Sequence, residues 1–287
     1  MKKQEYIDMG IEAGLTPSQI EGVLCKVLSV SREEFFLLKN ISSKYIYEVQ
    51  QVFYSLQTWK PEEYTLEKAN FYGRDFFVDE RVLIPRNDTE ILVREALKKI
   101  HLDMRLENMI YIDVGTGSAC IPITIIEEMK PLKFEKVFAL DISSEALAVA
   151  KENIEAYTLE NIELLKSDLL HGIFHHVWLT KKSLCITANL PYIKDEDHEN
   201  MDQSVIHHKR KKALYGREKT GFELYEKLLK QCFQLKEIYK IPMIYMFIEI
   251  GFDQYDYSRK YLEDLGLRFE YFTDSANIKR VICIEGF

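Results

Sequence analysis

The stretch that decides the fold is Met109-Ile110-Tyr111-Ile112-Asp113-Val114-Gly115-Thr116-Gly117-Ser118-Ala119-Cys120. An apolar run of strand length carries one acid near its end, and a turn with two glycines follows it. The next residues, from Ile121 to Met129, have the composition of a buried helix. Glycines in such a turn let the backbone reverse sharply and approach a ligand closely. The stretch therefore predicts a strand, a ligand-binding turn and a helix.

Helix and strand patterns alternate around this stretch, from Pro85 to the end of the chain. The candidate strands are Met109–Val114, Lys136–Asp141, Ile162–Ser167, Leu184–Ala188, Met243–Ile250, Arg268–Phe272 and Arg280–Ile284. The candidate helices include Thr89–Lys99, Ile121–Met129, Ser144–Tyr157 and Gly221–Leu235. Strands separated by helices predict a mostly parallel, doubly wound, Rossmann-like α/β sheet. The short link between the last two strands predicts that one of them is antiparallel.

The part of the chain before this region has a different pattern. Apolar residues recur there at helical spacing, and no strand alternation or Gly-rich loop interrupts them. We predict that residues 1–67 form a small helical domain and that residues 68–84 form a β-hairpin connector. Residues 85–287 then form the main α/β domain.

Composition and charge exclude several classes of protein. The 287 residues carry a formal net charge of −8, which argues against direct binding to a nucleic-acid backbone. No apolar run reaches the ~20 residues of a membrane helix. Five cysteines without a Cys-x-x-Cys pair favour a reduced, cytoplasmic chain with no membrane association. The adjacent histidines His175-His176 and His207-His208 lack the spacing of a metal pair, so we expect no metal.

Acids close three successive predicted strands. Asp141 can accept hydrogen bonds from both hydroxyls of a ribose, as the acid at this position of dinucleotide-binding folds does. Asp168 can accept from an adenine amino group while Leu169 packs on the ring, and Asp113 can meet the amino group of a methionine moiety. The turn Gly115-Thr116-Gly117-Ser118-Ala119 lacks the Lys-Ser/Thr of a phosphate-binding loop. The ordered set predicts S-adenosylmethionine as ligand; the alternative is that the acids merely cap helices.

The fourth strand ends in Asn189-Leu190-Pro191-Tyr192, which must face the same crevice. An amide or aromatic amine nitrogen is a poor nucleophile, and two acceptors aimed at its N–H groups can hold it for attack. The Asn189 side-chain oxygen and the Leu190 carbonyl supply them, and Asn189 also borders the cofactor. Pro191 fixes the backbone, and Tyr192 can lie flat on a planar acceptor. The alternative is an ordinary Asn-Pro turn.

These motifs, together with Val82-Leu83-Ile84-Pro85-Arg86-Asn87-Asp88-Thr89-Glu90, make the chain resemble the release-factor glutamine methyltransferases (the HemK or PrmC family). The nine residues are similar to that family's Leu-Ile-Pro-Arg-Pro-x-Thr-Glu signature. The resemblance implies a Rossmann-like class I methyltransferase. It would methylate the glutamine of the Gly-Gly-Gln loop in class I peptide chain release factors. The products would be N5-methylglutamine and S-adenosylhomocysteine, and the helical domain would help to dock the release factor.

Two departures from the family pattern keep other functions open. Leu190 stands where the family usually has proline, and Asn-Leu-Pro-Tyr also occurs in ribosomal-RNA adenine dimethyltransferases. Lys209-Arg210 stands where the family has Glu-Pro, inside a basic run from His207 to Lys212 that we interpret as a solvated surface. An adenine-N6 methyltransferase acting on RNA or DNA is therefore the alternative. A third hypothesis is a domain that binds the nucleoside or a partner without catalysis.

Overall fold

The structure is a computed structural model that describes residues 1–58, 60–102, 109–131, 134–191 and 220–287. These residues form two compact units, Met1–Lys68 and the described residues from Ala69 onward. Tyr192, His207-His208 and the rest of the basic run lie outside the described residues. No helix among the described residues is both long and apolar enough to cross a lipid bilayer.

The first unit is helical. Its elements are α1 (Lys3–Glu12), α2 (Pro17–Leu28), α3 (Arg32–Leu37), a 3₁₀ turn (Ser43–Tyr45), α4 (Ile46–Thr58) and α5 (Glu62–Thr65). The helices α2 and α3 begin at Thr16 and Ser31, whose side chains accept hydrogen bonds from the backbone N–H three residues ahead. The apolar stripe of α2 packs against α1 and α4 around a core that contains Tyr6, Leu24 and Val52.

The second unit begins with a two-stranded antiparallel ribbon and continues as alternating helices and strands. The elements are β1 (Ala69–Phe71), β2 (Arg74–Phe76), α6 (Thr89–Leu102), β3 (Met109–Val114), α7 (Cys120–Met129), β4 (Lys136–Asp141), α8 (Ser144–Ala156), β5 (Ile162–Lys166), β6 (Ser183–Ala188), α9 (Glu223–Tyr239), β7 (Ile244–Glu249), α10 (Tyr255–Asp264), β8 (Arg268–Thr273) and β9 (Lys279–Glu285). Short 3₁₀ turns lie at His171–Ile173 and Val177–Leu179.

The seven strands β3 to β9 form one sheet in the order β5-β4-β3-β6-β7-β9-β8. The strands β3 to β7 run parallel, whereas β9 is antiparallel to both of its neighbours, β7 and β8. This topology confirms the predicted doubly wound, Rossmann-like sheet with a late antiparallel strand. Each residue of β3 is buried, because its side chains alternate between two apolar clusters on opposite faces of the sheet.

Register places the ends of three parallel strands side by side. Val114 is paired with Leu140 on one side and with Ala188 on the other. Asp141, the last residue of β4, therefore lies at one edge of the sheet with Gly115 and Asn189, which directly follow β3 and β6. Ligands bind at such a carboxyl edge in open α/β sheets.

The ends of β3 and β4 match the prediction, the other element ends differ from it by at most four residues, and the predicted hairpin is shorter than expected. The two strands cover residues 69–76, and residues 77–84 form no strand. The physical reason is an asparagine on α8 that takes the place of a strand partner. Asn153 accepts from the Phe77 N–H (2.7 Å) and donates to the Phe77 carbonyl (2.9 Å). It also donates to the carbonyl of Ser118 (2.9 Å), which ties the connector to the glycine turn.

Candidate functional site

The glycine turn closes over the end of β4. The N–H groups of Gly115 and Thr116 both donate to the carbonyl of Leu140, at 2.8 and 2.9 Å. Gly115 has φ +73°, a left-handed conformation that side-chain-bearing residues rarely adopt. Ala119 also adopts positive φ, directly before α7 begins. The sequence motif thus folds into the tight turn that it predicts.

Asp141 holds this turn in place. One of its carboxylate oxygens accepts from the Gly117 N–H (3.0 Å) and the other from the Ser143 N–H (2.9 Å). A carboxylate has about four acceptor positions, so each oxygen keeps one for a further donor. Burial raises the pKa of Asp141 above its usual value, although the backbone N–H groups favour the charged form. Asp141 can therefore accept hydrogen bonds from the two hydroxyls of a ribose while it holds the glycine turn in place.

Asp113 is buried beneath the turn. It accepts a hydrogen bond from the Thr187 hydroxyl (2.6 Å), which is bonded in turn to the Tyr111 hydroxyl (2.8 Å). Burial raises the pKa of Asp113 to about 6, even though the hydroxyl of Thr187 favours its charged form. The charge of Asp141 adds to the increase in pKa. A buried acid of this kind binds a cation strongly, because little water competes for it.

Three buried polar atoms at this turn complete no hydrogen bond within the described part of the chain. They are Asp113 Oδ2, Thr116 Oγ1 and Ser118 Oγ. Buried polar groups without partners are rare in native proteins, and each calls for a ligand or a water. A Cβ atom added to Gly117 would meet no atom within 4 Å, so the turn faces open space there. A carboxylate and two hydroxyls suit the ammonium end of an amino-acid ligand, which fits the predicted cofactor.

Asp168 and Leu169 follow β5, as expected, but they face different surroundings. Asp168 is half-exposed and forms an ion pair with Lys227 on α9. Leu169 has φ +53° and is buried in the core on one face of the sheet. Their assignment to an adenine ring stays a prediction. Among the described residues, no group of three or more His, Cys, Asp or Glu is arranged to hold a metal ion.

We call the loop at residues 189–192, which follows β6, the acceptor loop. Its described part is held by α9 and β7, two elements that the sequence analysis did not connect with it. The Leu190 N–H donates to the Tyr225 hydroxyl (2.9 Å), and that hydroxyl donates to the backbone carbonyl of Glu249. Leu190 is itself buried. Pro191 is the last residue of the loop that the structure describes, and the role predicted for Tyr192 lies beyond it.

The side chain of Asn189 is oriented by two partners. Its amide nitrogen donates to the Thr89 hydroxyl (3.0 Å) and to the Glu249 carboxylate (2.9 Å). Thr89 also donates to the same carboxylate oxygen (2.6 Å). Because the nitrogen end of the amide is directed at these two acceptors, the amide oxygen of Asn189 is the end that is left for a ligand.

Glu249 contacts the predicted acceptor residue Asn189, and the sequence analysis did not include it among the candidate site residues. It ends β7 and is fully buried, and burial raises its pKa. The Thr89 hydroxyl and the positive charges of Arg86 and Arg280 favour its charged form, whereas Asp88 opposes it. The available signal was an acid inside the apolar run from residue 244 to 250, since an unpaired buried carboxylate is costly.

A substitution at Gly115 tests the close packing between the turn and the acceptor loop. A Cβ atom at Gly115 would lie 2.8 Å from Leu190 Cδ2, whereas one at Gly117 would meet nothing within 4 Å. Both glycines have positive φ, so both alanine variants carry the same type of backbone strain. We expect Gly115→Ala to lower the free energy of unfolding by about 1–3 kcal/mol more than Gly117→Ala, because only the first overpacks. Urea unfolding without ligand measures this, and equal losses would contradict the contact.

Comparisons with known proteins identify relatives of this chain. A family model described as "Methyltransferase domain" matches residues 106–189. A protein of Bacillus cereus named release factor glutamine methyltransferase is 35% identical, over 77% of this chain and 76% of its own length. A protein of the same name from Thermodesulfovibrio yellowstonii is 26% identical, over 93% of this chain and 91% of its own.

Solved structures show a likeness in fold. The N-terminal domain of human METTL16 in complex with SAH has a TM-score of 0.51 at 13% identity and covers 86% of this chain and 84% of that one. The hMettl16 catalytic domain in complex with MAT2A 3'UTR hairpin 6 has the same TM-score at 14% identity, with 85% and 82% covered. At this identity the likeness concerns the fold alone.

Proposed function

The chain belongs to the release factor glutamine methyltransferase family, as the connector and loop motifs predicted, and from this premise we propose its substrate and cofactor. It transfers a methyl group from S-adenosylmethionine to the side-chain amide nitrogen of the glutamine in the Gly-Gly-Gln loop of class I release factors, in the cytoplasm. The observation that carries the proposal is the orientation of Asn189, whose amide nitrogen donates to Thr89 and Glu249 inside the protein.

S-adenosylmethionine, when bound, supplies an electrophilic methyl group on a sulfonium centre. Asp113, with Thr116 and Ser118 beside it, would hold the ammonium end, because these residues present buried acceptors without partners among the described residues. Asp141 would accept the ribose hydroxyls with its remaining acceptor positions. Asp168 and Leu169 would border the adenine. The glycines of the turn let the backbone approach the ligand.

The acceptor end of the site binds and orients a planar amide. The Asn189 oxygen and the Leu190 carbonyl would accept the two N–H groups of the glutamine side chain. Two acceptors on one NH₂ group hold it in a fixed plane, and positioning of this kind is a large part of catalysis. No strong base is required, because the nitrogen proton becomes acidic once the methyl group has been transferred. Pro191 would fix the loop, and Tyr192 would cover the acceptor.

The helical unit would contribute to recognition of the protein substrate. Several large apolar side chains on it are exposed, among them Phe36, Leu37 and Tyr47. Exposed apolar residues that cluster on one module are common at protein contact sites. We infer that residues 1–67 dock the release factor and that residues 85–287 carry the chemistry.

Methylation of a purified release factor tests the proposal. The chain is incubated with a class I release factor and labelled S-adenosylmethionine, and the peptide that contains the Gly-Gly-Gln loop is analysed by mass spectrometry. We expect one added methyl group on that glutamine, and none on a control factor in which it is replaced by glutamate.

The same assay separates the alternative function. An adenine amino group is also a planar nitrogen, so unmethylated RNA and DNA duplexes and single strands form a second arm of the experiment. Label on adenine together with an unmodified release factor would overturn the proposal. Label on the glutamine alone excludes the adenine-N6 function.

A further inference from the structure

We propose that Glu249 is a positioning residue that sets which end of the Asn189 carboxamide faces the methyl acceptor. The inference rests on the proposed function for its consequence in catalysis, and its geometric part stands on the structure. A carboxamide has nearly the same shape in both orientations, so shape alone does not select one. In one orientation it offers an oxygen to the acceptor N–H, and in the other it offers an N–H that cannot pair.

The polarity of the hydrogen-bond network selects the orientation. An ionised carboxylate only accepts, so both groups that contact Glu249 Oε2 must donate. Thr89 donates its hydroxyl proton at 2.6 Å, which leaves the Thr89 oxygen as an acceptor toward Asn189. Both contacts of Asn189, at 3.0 and 2.9 Å, therefore require its nitrogen. Among the described residues, none donates to Asn189 Oδ1.

The position of Glu249 is fixed from a second side. Its backbone carbonyl accepts from the Tyr225 hydroxyl, and the same hydroxyl accepts from the N–H of Leu190. Glu249, at the end of β7, thus helps to position both predicted acceptors: the Asn189 side chain directly and the Leu190 peptide through Tyr225. The charged groups that face the carboxylate are Arg86, Asp88 and Arg280. The two arginines attract the carboxylate of Glu249, and Asp88 repels it.

Paired substitutions at Glu249 test this role. Glu249→Leu replaces the carboxylate that accepts from Asn189 with an apolar side chain of similar size. Glu249→Gln keeps one oxygen that can still accept this hydrogen bond. We expect kcat to fall on the order of 10²-fold in the leucine variant, because the reacting groups lose their alignment. The glutamine variant should recover a substantial part of that loss. The KM for the release factor and the Kd for S-adenosylhomocysteine should change little in either variant.

A reciprocal exchange supplies a result that a merely structural role does not produce. Asn189→Asp alone places two carboxylates at hydrogen-bond distance, and like charges so close repel. Adding Glu249→Gln restores a donor opposite the introduced carboxylate, while the free oxygen of that carboxylate still faces the acceptor. We expect the double variant to be at least about tenfold more active than Asn189→Asp, which corresponds to a recovery of about 1.4 kcal/mol in transition-state free energy. A double variant no better than the single one would overturn the proposal.

The orientation can also be measured without a methyl acceptor. In protein labelled with ¹⁵N-asparagine, Asn189→Ala identifies the side-chain NH₂ signals of Asn189. These protons should exchange slowly with solvent in the wild type and rapidly in Glu249→Leu, because the carboxylate holds them. Unchanged exchange would overturn the inference. If the wild type instead fails to methylate the release factor while the protons are protected, the proposed function fails and the positioning role stands.

Discussion

Replacement of Asn189 by alanine should lower kcat for glutamine methylation on the order of 10³-fold, whereas the Kd for S-adenosylhomocysteine should change little. The substitution removes the acceptor that holds the substrate N–H. Losing one preorganised hydrogen-bonding group typically costs about 10²- to 10³-fold in kcat. The cofactor contacts assigned to Asp113 and Asp141 are untouched. Steady-state kinetics and calorimetric titration of S-adenosylhomocysteine measure the two effects separately.

The chain offers a matched control for this variant. Asn70 also donates its side-chain amide to a carboxylate, that of Asp75 at 3.2 Å, but it is exposed on the ribbon of β1 and β2. Asn70→Ala should keep the wild-type kcat, since the same chemical change is made at an exposed position outside the proposed site. Normal turnover in Asn189→Ala would refute the acceptor mechanism.

The second large effect is expected at Asp113. Asp113→Asn keeps the size of the side chain but removes the charge that would pair with the ammonium group of the cofactor. Losing one partner of a buried, hydrogen-bonded charge pair costs about 2–5 kcal/mol. We therefore expect the Kd for S-adenosylhomocysteine to rise on the order of 10²-fold at pH 8. An unchanged affinity would show that the ammonium group binds elsewhere.

The pH dependence of binding gives the same prediction a second readout. The pKa of Asp113 is raised to about 6 by burial, and only the ionised carboxylate pairs with a cation. Cofactor affinity should therefore be constant above about pH 7 and fall as pH decreases below about 6. In Asp113→Asn this dependence should disappear. A wild-type profile that stays flat down to pH 5 would contradict the assignment.

The stability of the ligand-free protein should change with pH in the direction opposite to that of cofactor affinity. The folded-state pKa of Asp113 lies above the ~3.9 of an unfolded aspartate, so the stability linked to it is present below about pH 4 and lost as pH rises through 6. Ionisation therefore costs the free protein up to about 3 kcal/mol at neutral pH. Without ligand, Asp113→Asn should unfold at a higher temperature than the wild type at pH 8, with the gap closing toward pH 4. A variant that loses cofactor affinity while it gains stability is not misfolded.

The sheet and its ligand-binding edge could be predicted because their signals are local. An apolar run of six residues followed by Gly115 and Gly117 specifies a strand and a turn through short-range sterics alone. The alternation of helices and strands then fixes a parallel sheet, and parallel strands bring their carboxyl ends to one edge. The exact ends of helices and strands were harder to predict, because the end of a helix such as α9 depends on its contacts with the rest of the fold. It runs to Tyr239 rather than to Leu235.

What the sequence did not reveal depends on contacts between distant residues. Glu249 bonds to Asn189 across 60 positions, and Tyr225 reaches Leu190 across 35. No spacing rule links such residues, since their approach is created by the order of strands in the sheet. The hairpin of the connector is shorter than predicted for the same reason. Val82, Leu83 and Ile84 have strand composition, but the polar groups of Phe77 are satisfied by a helix side chain instead of a neighbouring strand.

The bonds of Asn153 bear on how this chain can be recombined with its relatives. Residues 77–84 belong to the second compact unit, and Phe77 is hydrogen-bonded to Asn153 of that unit. A chimera that takes the helical unit from another family member should therefore be joined between Lys68 and Ala69. A junction after Ile84 would import a foreign connector that must match Asn153 and the carbonyl of Ser118. The buried side-chain amide of Asn153 thus indicates which junction should be used for such a chimera.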